Sequence, residues 1–262
     1  MTEDQRKLTP NASAFSVKRK VITDLLAKHT GYAILSHTWL QDSSEVTYQD
    51  AMDPVRLEEI KSGNREGYKK LERFCEIAQR EYNLTLAWMD TICIDKSSSS
   101  ELDESIRSMF NWYTFSAVCI VTLNQSIILA DMETDRWFTR GWTLQELLAP
   151  RRIKFYNKYW EPMSTDENDK QINWVFQPER PRTVETMIQK VTGIDYSRLF
   201  YQPSTLVGKI AERMSWAAKR RTTRGEDIAY SLMGIFGVSI SVAYGEGPER
   251  AFFRLLEAIL SS

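Results

Sequence analysis

The chain reads as an α/β protein: an open parallel sheet flanked by helices, with a mainly helical C-terminal extension packed on it. Three observations predict this. Four apolar runs read as strands, at Tyr32–Leu35, Leu84–Ile94, Ala117–Leu123 and Ile153–Tyr156. Segments with helical spacing of apolar residues alternate with them. The runs are continuous rather than alternating in polarity, as in parallel strands covered by helices on both faces.

Along the chain, Tyr32-Ala-Ile-Leu35 is a buried strand that runs into a Ser36-His-Thr-Trp39 loop. Residues 40–66 carry Asp, Ser, Gly and Asn and read as loop with one short helix. Tyr68, Leu71, Phe74, Cys75, Ala78 and Tyr82 recur at helical spacing over Gly67–Tyr82. Leu84–Ile94 is a second strand, buried on both faces, with Trp88 in the core. Ser97–Ser100 followed by Glu101-Leu-Asp-Glu104 supplies a serine cap and an acidic first turn. Leu102, Ile106, Met109 and Tyr113 continue that helix. The β-branched run Ala117–Leu123 is a third strand. A short helix over Trp142–Leu148 precedes the fourth strand. Helices are then expected at Thr183–Val191, Leu206–Lys219, Asp227–Phe236 and Pro248–Leu260. Ile210, Met214 and Ala217 mark the apolar face of the second of these, and Pro248 suits a first helical turn. This divides the chain into a polar arm (1–25), an α/β core (26–165) and a helical layer of the same unit (166–262).

Composition narrows the function. A formal net charge of −1 over 262 residues gives no electrostatic footprint for nucleic acid. Three cysteines, widely spaced, argue against a disulfide framework and for a reducing, cytoplasmic setting. Two histidines make a His-rich metal site a poor expectation, so no metal is assigned. No apolar run approaches the roughly 18 residues of a membrane span. Residues 1–15 lack the apolar stretch of a secretion signal.

Ligands of open α/β sheets sit at the carboxyl ends of the strands. Three polar clusters fall on that edge: Ser36, His37 and Trp39; Asp90 and Asp95; and Arg140, Trp142 and Glu146. Trp142 and Glu146, four apart, project from one helical face, while Leu144, Leu147 and Leu148 anchor the helix in the core. A carboxylate beside an aromatic plane suits a planar or cationic ligand.

Tyr32-Ala-Ile-Leu-Ser-His-Thr-Trp39, Trp88-Met-Asp-Thr-Ile-Cys-Ile-Asp-Lys96 and Arg136-Trp-Phe-Thr-Arg-Gly-Trp-Thr-Leu-Gln-Glu-Leu-Leu-Ala-Pro150 resemble the three signature blocks of the fungal heterokaryon-incompatibility (HET) domain. Residues 213–256 resemble the region that commonly comes after them. Two departures are visible: Leu40 stands where a glycine is usual, and Ile92 where cysteine is commoner. HET domains are thought to be distant relatives of TIR domains, several of which cleave NAD. The resemblance therefore implies a TIR/flavodoxin-like sheet and a cell-death effector that self-associates and engages other incompatibility or NLR-type proteins. It implies NAD as substrate, no prosthetic group, and Glu146 as the catalytic carboxylate. Ser36, His37, Trp39, Asp90, Asp95, Arg140 and Trp142 become candidate lining for the nucleotide.

Cleaving the nicotinamide–ribose bond of NAD expels neutral nicotinamide from a pyridinium. No acid need protonate the leaving group, unlike ordinary glycoside hydrolysis with its two carboxylates. One carboxylate can hold the ribose hydroxyls and stabilise the developing oxocarbenium ion. Trp142 or Trp39 could stack on the cationic ring, and Arg140 could pair with the pyrophosphate. Plainer readings stand beside these. Glu146 could be an exposed helix carboxylate, His37 a strand-end hydrogen-bond donor, and Asp90 and Asp95 turn caps. The basic run Lys219-Arg-Arg-Thr-Thr-Arg224 reads as a solvated helix end, and Tyr244-Gly-Glu-Gly247 as a tight turn or a closure over the site. A non-catalytic signalling module and a nucleotide-binding domain without turnover are the alternatives to an enzyme.

Overall fold

β-Branched and aromatic runs separated by amphipathic helices give a four-stranded, all-parallel sheet in the order β2-β1-β3-β4. The computed structural model describes residues 30–40, 44–170, 183–200 and 210–262. The arm expected over 1–25 lies outside them. The elements are β1 (Tyr32–His37), α1 (Tyr48–Met52), α2 (Pro54–Ser62), α3 (Glu66–Tyr82), β2 (Leu86–Trp88), α4 (Asp90–Cys93), α5 (Ser99–Phe115), β3 (Val118–Thr122), α6 (Thr143–Leu148) and β4 (Ile153–Tyr156). Two 3₁₀ turns, Leu129–Glu133 and Arg136–Thr139, lie between β3 and α6. The C-terminal layer holds α7 (Val184–Thr192), α8 (Tyr196–Phe200), α9 (Ile210–Ala217), α10 (Asp227–Tyr230), α11 (Met233–Phe236) and α12 (Pro248–Leu260).

Strand alternation sends successive side chains to opposite faces. Ile34, Cys119, Val121, Ile153 and Phe155 join one core with α5, α6 and the C-terminal helices. Ala33, Leu35, Val118, Ile120 and Tyr156 join the other, with Phe74, Ile77 and Ala78 of α3. The C-terminal layer shares the first core through Met187, Ile188, Trp216, Leu255 and others, so it packs on the sheet as expected. Among the described residues no helix is long and apolar enough to cross a membrane.

Four expectations are corrected. The Leu84–Ile94 run is not one strand buried on both faces. Only Leu86–Trp88 pairs, at the sheet edge with Leu86 exposed, and Asp90–Cys93 turns into a helix. Trp88 is accordingly half-buried at that edge rather than central core. Residues 40–66 hold two helices: Thr47 caps α1 and Asp53 caps α2, each through its side chain. In α9 the buried positions are Arg213 and Trp216, whereas Ile210 is exposed. The expected Asp227–Phe236 helix is broken into α10 and α11 at Ser231 and Leu232.

Close packing shapes the carboxyl end of β1 and the β4 edge of the sheet. The first turn of α3 lies against the backbone of 44–46: a Cβ on Gly67 would stand 2.1 Å from the Ser44 carbonyl oxygen. This close approach brings Glu45 under the end of β1. At the far edge, β4 buries Lys154, whose ammonium donates to Ser164 O and Oγ (2.8 Å each), Asp166 O (2.6 Å) and Asp169 Oδ1 (3.2 Å).

Candidate functional site

The chain leaves β1 to one side for β2, then crosses back to place β3 on the other. The switch point therefore lies between the carboxyl ends of β1 and β3, where open α/β sheets bind ligands. Ser36 and His37 end β1, in register with Val121 and Thr122. Asn124 Nδ2 closes the gap by donating to Thr38 O (3.1 Å) and Thr38 Oγ1 (2.9 Å).

Alternation separates Ser36 from His37. Ser36 faces α6 and donates to Glu146 Oε2 at 2.5 Å. It accepts from the Trp137 indole N–H at 2.8 Å. The Trp137 ring is itself held in place, because Asp135 caps its 3₁₀ turn and Phe138 and Phe155 pack edge-on against it. Tyr113 of α5 places its hydroxyl beside the carboxylate and donates to Leu35 O at 3.0 Å. Glu146 is 8% exposed, which discards the exposed-helix reading. Its carboxyl is pushed up to about 7, burial being the main cause. Asp90 pushes the same way; Ser36, Arg140 and Tyr113 oppose.

His37 faces α3. Its Nε2 lies 3.8 Å from both Glu45 Oε1 and Asp90 Oδ1 and forms no hydrogen bond among the described residues. Burial, then the nearby Lys70, Arg140 and Lys96, hold this imidazole well below its ordinary value, so it is neutral at pH 7. Beneath it Lys70 pairs with Glu45, and Glu45 accepts from Leu40 N at 2.7 Å.

Above the strand ends stands a rim. Trp39, 42% exposed, donates its indole N–H to Asp90 Oδ2 at 3.0 Å. Lys96 also bonds Asp90 (3.3 Å) and lies 3.8 Å over the Trp39 ring. The Arg140 guanidinium is 5.7 Å from that ring and forms no ion pair among the described residues. A half-buried cation, an aromatic face and a buried carboxylate thus converge on the switch point. Asp95 does not join them: its carboxylate bonds Gln49, Ser97 Oγ and Ser97 N in a turn. Those hydrogen bonds, Ser97's first, hold it below the usual carboxylate range.

Trp142, expected beside Glu146, opens α6 as its cap residue and commits its indole N–H to Asp227 Oδ2 at 3.1 Å. Tyr244 donates to the other oxygen, at 2.8 Å. Glu246 accepts from Tyr230 OH (2.7 Å) and Arg254 (2.5 Å), so Tyr244–Gly247 is a connection internal to the C-terminal layer.

Sequence reasoning missed Arg220. It sits in a basic run assigned to solvent, yet it is 7% exposed. Its Nη1 donates to Arg140 O (2.8 Å) and Thr143 Oγ1 (2.9 Å). Backbone bonds Arg221 N to Thr139 O (2.7 Å) and Gly141 N to Arg221 O (2.8 Å) fasten the same turn. The C-terminal layer thereby holds the start of the helix that carries Glu146. Among the described residues no group of three or more His, Cys, Asp or Glu could hold a metal ion.

Residues 32–128 match the family described as "Heterokaryon incompatibility protein (HET)". That stretch contains Ser36, His37, Trp39, Asp90 and Asp95 and ends before Arg140, Trp142 and Glu146. The chain is 41% identical over 239 residues, 87% of its length, to "Vegetative incompatibility protein HET-E-1" of Podospora anserina. It spans 16% of that relative's length. No solved structure matches it.

Proposed function

Since this chain belongs to the heterokaryon-incompatibility (HET) domain family, we propose that it is an incompatibility-type cell-death effector that cleaves NAD. The observation that carries the chemistry is Glu146, a carboxylate buried at the switch point and poised near neutrality. The strand order supports a flavodoxin-like, TIR-related layout. In this reading the ionised Glu146 holds the nicotinamide ribose and stabilises the oxocarbenium ion as neutral nicotinamide departs. Ser36, anchored by Trp137, aims the carboxylate. Arg140 takes the pyrophosphate and Trp39 the flat ring. NAD is substrate, and no prosthetic group takes part.

Glu146 is 8% exposed, so turnover requires the carboxyl ends of β1 and β3 to open to the nucleotide. Self-association, or contact with other incompatibility or NLR-type proteins, would supply that step. Removing the phosphate partner should act on binding: Arg140→Ala should raise KM for NAD about tenfold or more with a smaller change in kcat. Steady-state kinetics check this; an unchanged KM removes Arg140 from the site.

A second reading has its own support. Glu146, Ser36 and Trp137 satisfy one another, as a structural network in a non-catalytic module would. Purified protein incubated with NAD, with and without enforced association, separates the two by released nicotinamide. Release lost in Glu146→Ala supports the enzyme. No release under either condition supports the module, and saturable NAD binding without release supports nucleotide binding without turnover.

A further inference from the structure

A concave site lies beside Tyr113 at the free edge of β2. The lining of this groove of about 590 Å³ includes Tyr32, Trp88, Cys93, Glu101, Glu104 and Trp112. Among the described residues no Lys or Arg lines it, and two glutamates do. The rings of Trp88 and Trp112 meet at 56° with centroids 5.3 Å apart, giving two aromatic walls set at an angle. Tyr32 completes the wall and is fixed by its hydroxyl, which donates to Trp112 O at 2.5 Å. Glu101 is held too: its Oε1 accepts from Asp95 N at 2.9 Å. Glu104 is exposed and forms no hydrogen bond or ion pair among the described residues.

We propose that this groove binds an organic cation, an alkylammonium or quaternary ammonium group seated against Trp88 and Trp112 and facing Glu104. Shape and charge are both complementary to such a group. Indole faces attract a cation whose hydration shell has been stripped, and aromatic surfaces joined at an angle contact a rounded ammonium group on two sides. A carboxylate with no cationic partner among the described residues supplies the counter-charge at the rim. A neutral apolar ligand would use the rings and leave Glu104 unmatched; an anion would meet only like charge.

The site is separate from the switch point but adjacent to it. Trp88 stands edge-on to Tyr113 (6.1 Å, 76°), the residue beside Glu146. Cys93, in the groove, ends the four-residue helix that Asp90 begins.

Choline chloride and its uncharged isostere 3,3-dimethylbutan-1-ol are the probes, titrated at matched ionic strength and followed by the NMR signals of the Trp88 and Trp112 indole N–H groups. Choline should shift both signals saturably, and the isostere should bind at least about tenfold more weakly. Glu104→Gln, an exposed change that leaves the fold intact, should weaken choline severalfold, and Trp112→Leu should weaken it further. The proposal is overturned if choline produces no saturable shift, if the isostere binds equally well, or if Glu104→Gln binds choline like the wild type. None of these readouts depends on NAD cleavage.

Discussion

Glu146→Gln is expected to lower nicotinamide release by about 100- to 1,000-fold, the range seen when one group stabilising transition-state charge is removed. The variant should stay folded. Glutamine is isosteric and can accept the Ser36 hydrogen bond that the carboxylate now accepts. Stability supplies an independent check. An ordinary glutamate titrates near 4.5, while Glu146 is pushed up to about 7. Between those values the folded state keeps a proton that the unfolded chain has released. Wild-type stability therefore falls as pH rises through this window. The gap corresponds to about 3 kcal/mol once pH is well above 7. Glutamine carries no such penalty. Urea unfolding should show the variant gaining on the wild type by up to about 3 kcal/mol between pH 4 and about pH 8.5. A gap that does not change with pH would mean that Glu146 titrates normally.

Lys154→Met should have the largest effect on stability, a loss of about 3–5 kcal/mol. Lys154 is 5% exposed and Asp169 2%. The ammonium reaches Asp169 and three further acceptors between 2.6 and 2.8 Å away. Methionine fills much of the volume but leaves a buried carboxylate without its cation. Burial already pushes the Asp169 carboxyl up even with Lys154 in place. Restoring neutrality in Lys154→Met/Asp169→Asn should recover part of the loss, because Asp169 Oδ2 also accepts from Phe155 N at 2.7 Å and an amide oxygen can do the same. Denaturant midpoints measure both variants. A single variant within about 1 kcal/mol of wild type would show that the pair is solvated.

How much was legible in the sequence depends on how local each signal is. β4 at Ile153–Tyr156 and the last helix at Pro248–Leu260 agree with the reading residue for residue, because strand composition and a proline at the first helical turn are local. Leu84–Ile94 misled because apolarity alone does not separate a strand from a short helix covering the sheet end; Ile92 packs on the α3-side core from α4 rather than from a strand. Within the site, Glu146, Ser36, Trp39, Asp90 and Arg140 converge on the switch point, which strand-order reasoning anticipates. The division of Ser36 from His37 is implicit in strand alternation, but only once β1 is known to run through His37. Trp142 and Arg220 were beyond reach. Both are placed by bonds spanning about 80 residues, Trp142 to Asp227 and Arg220 to the Arg140 turn. No spacing rule registers such contacts, and a basic run ordinarily marks solvent.

The most direct test of the central claim is the pH dependence of kcat/KM for NAD cleavage by tethered copies of the protein, measured as nicotinamide released between about pH 5.5 and pH 8.5. If the ionised Glu146 stabilises the oxocarbenium ion, activity rises with pH and levels off above about 7, tracking the titration of that carboxyl. Activity that is flat across this range, or that survives in Glu146→Gln with the same profile, would contradict the account.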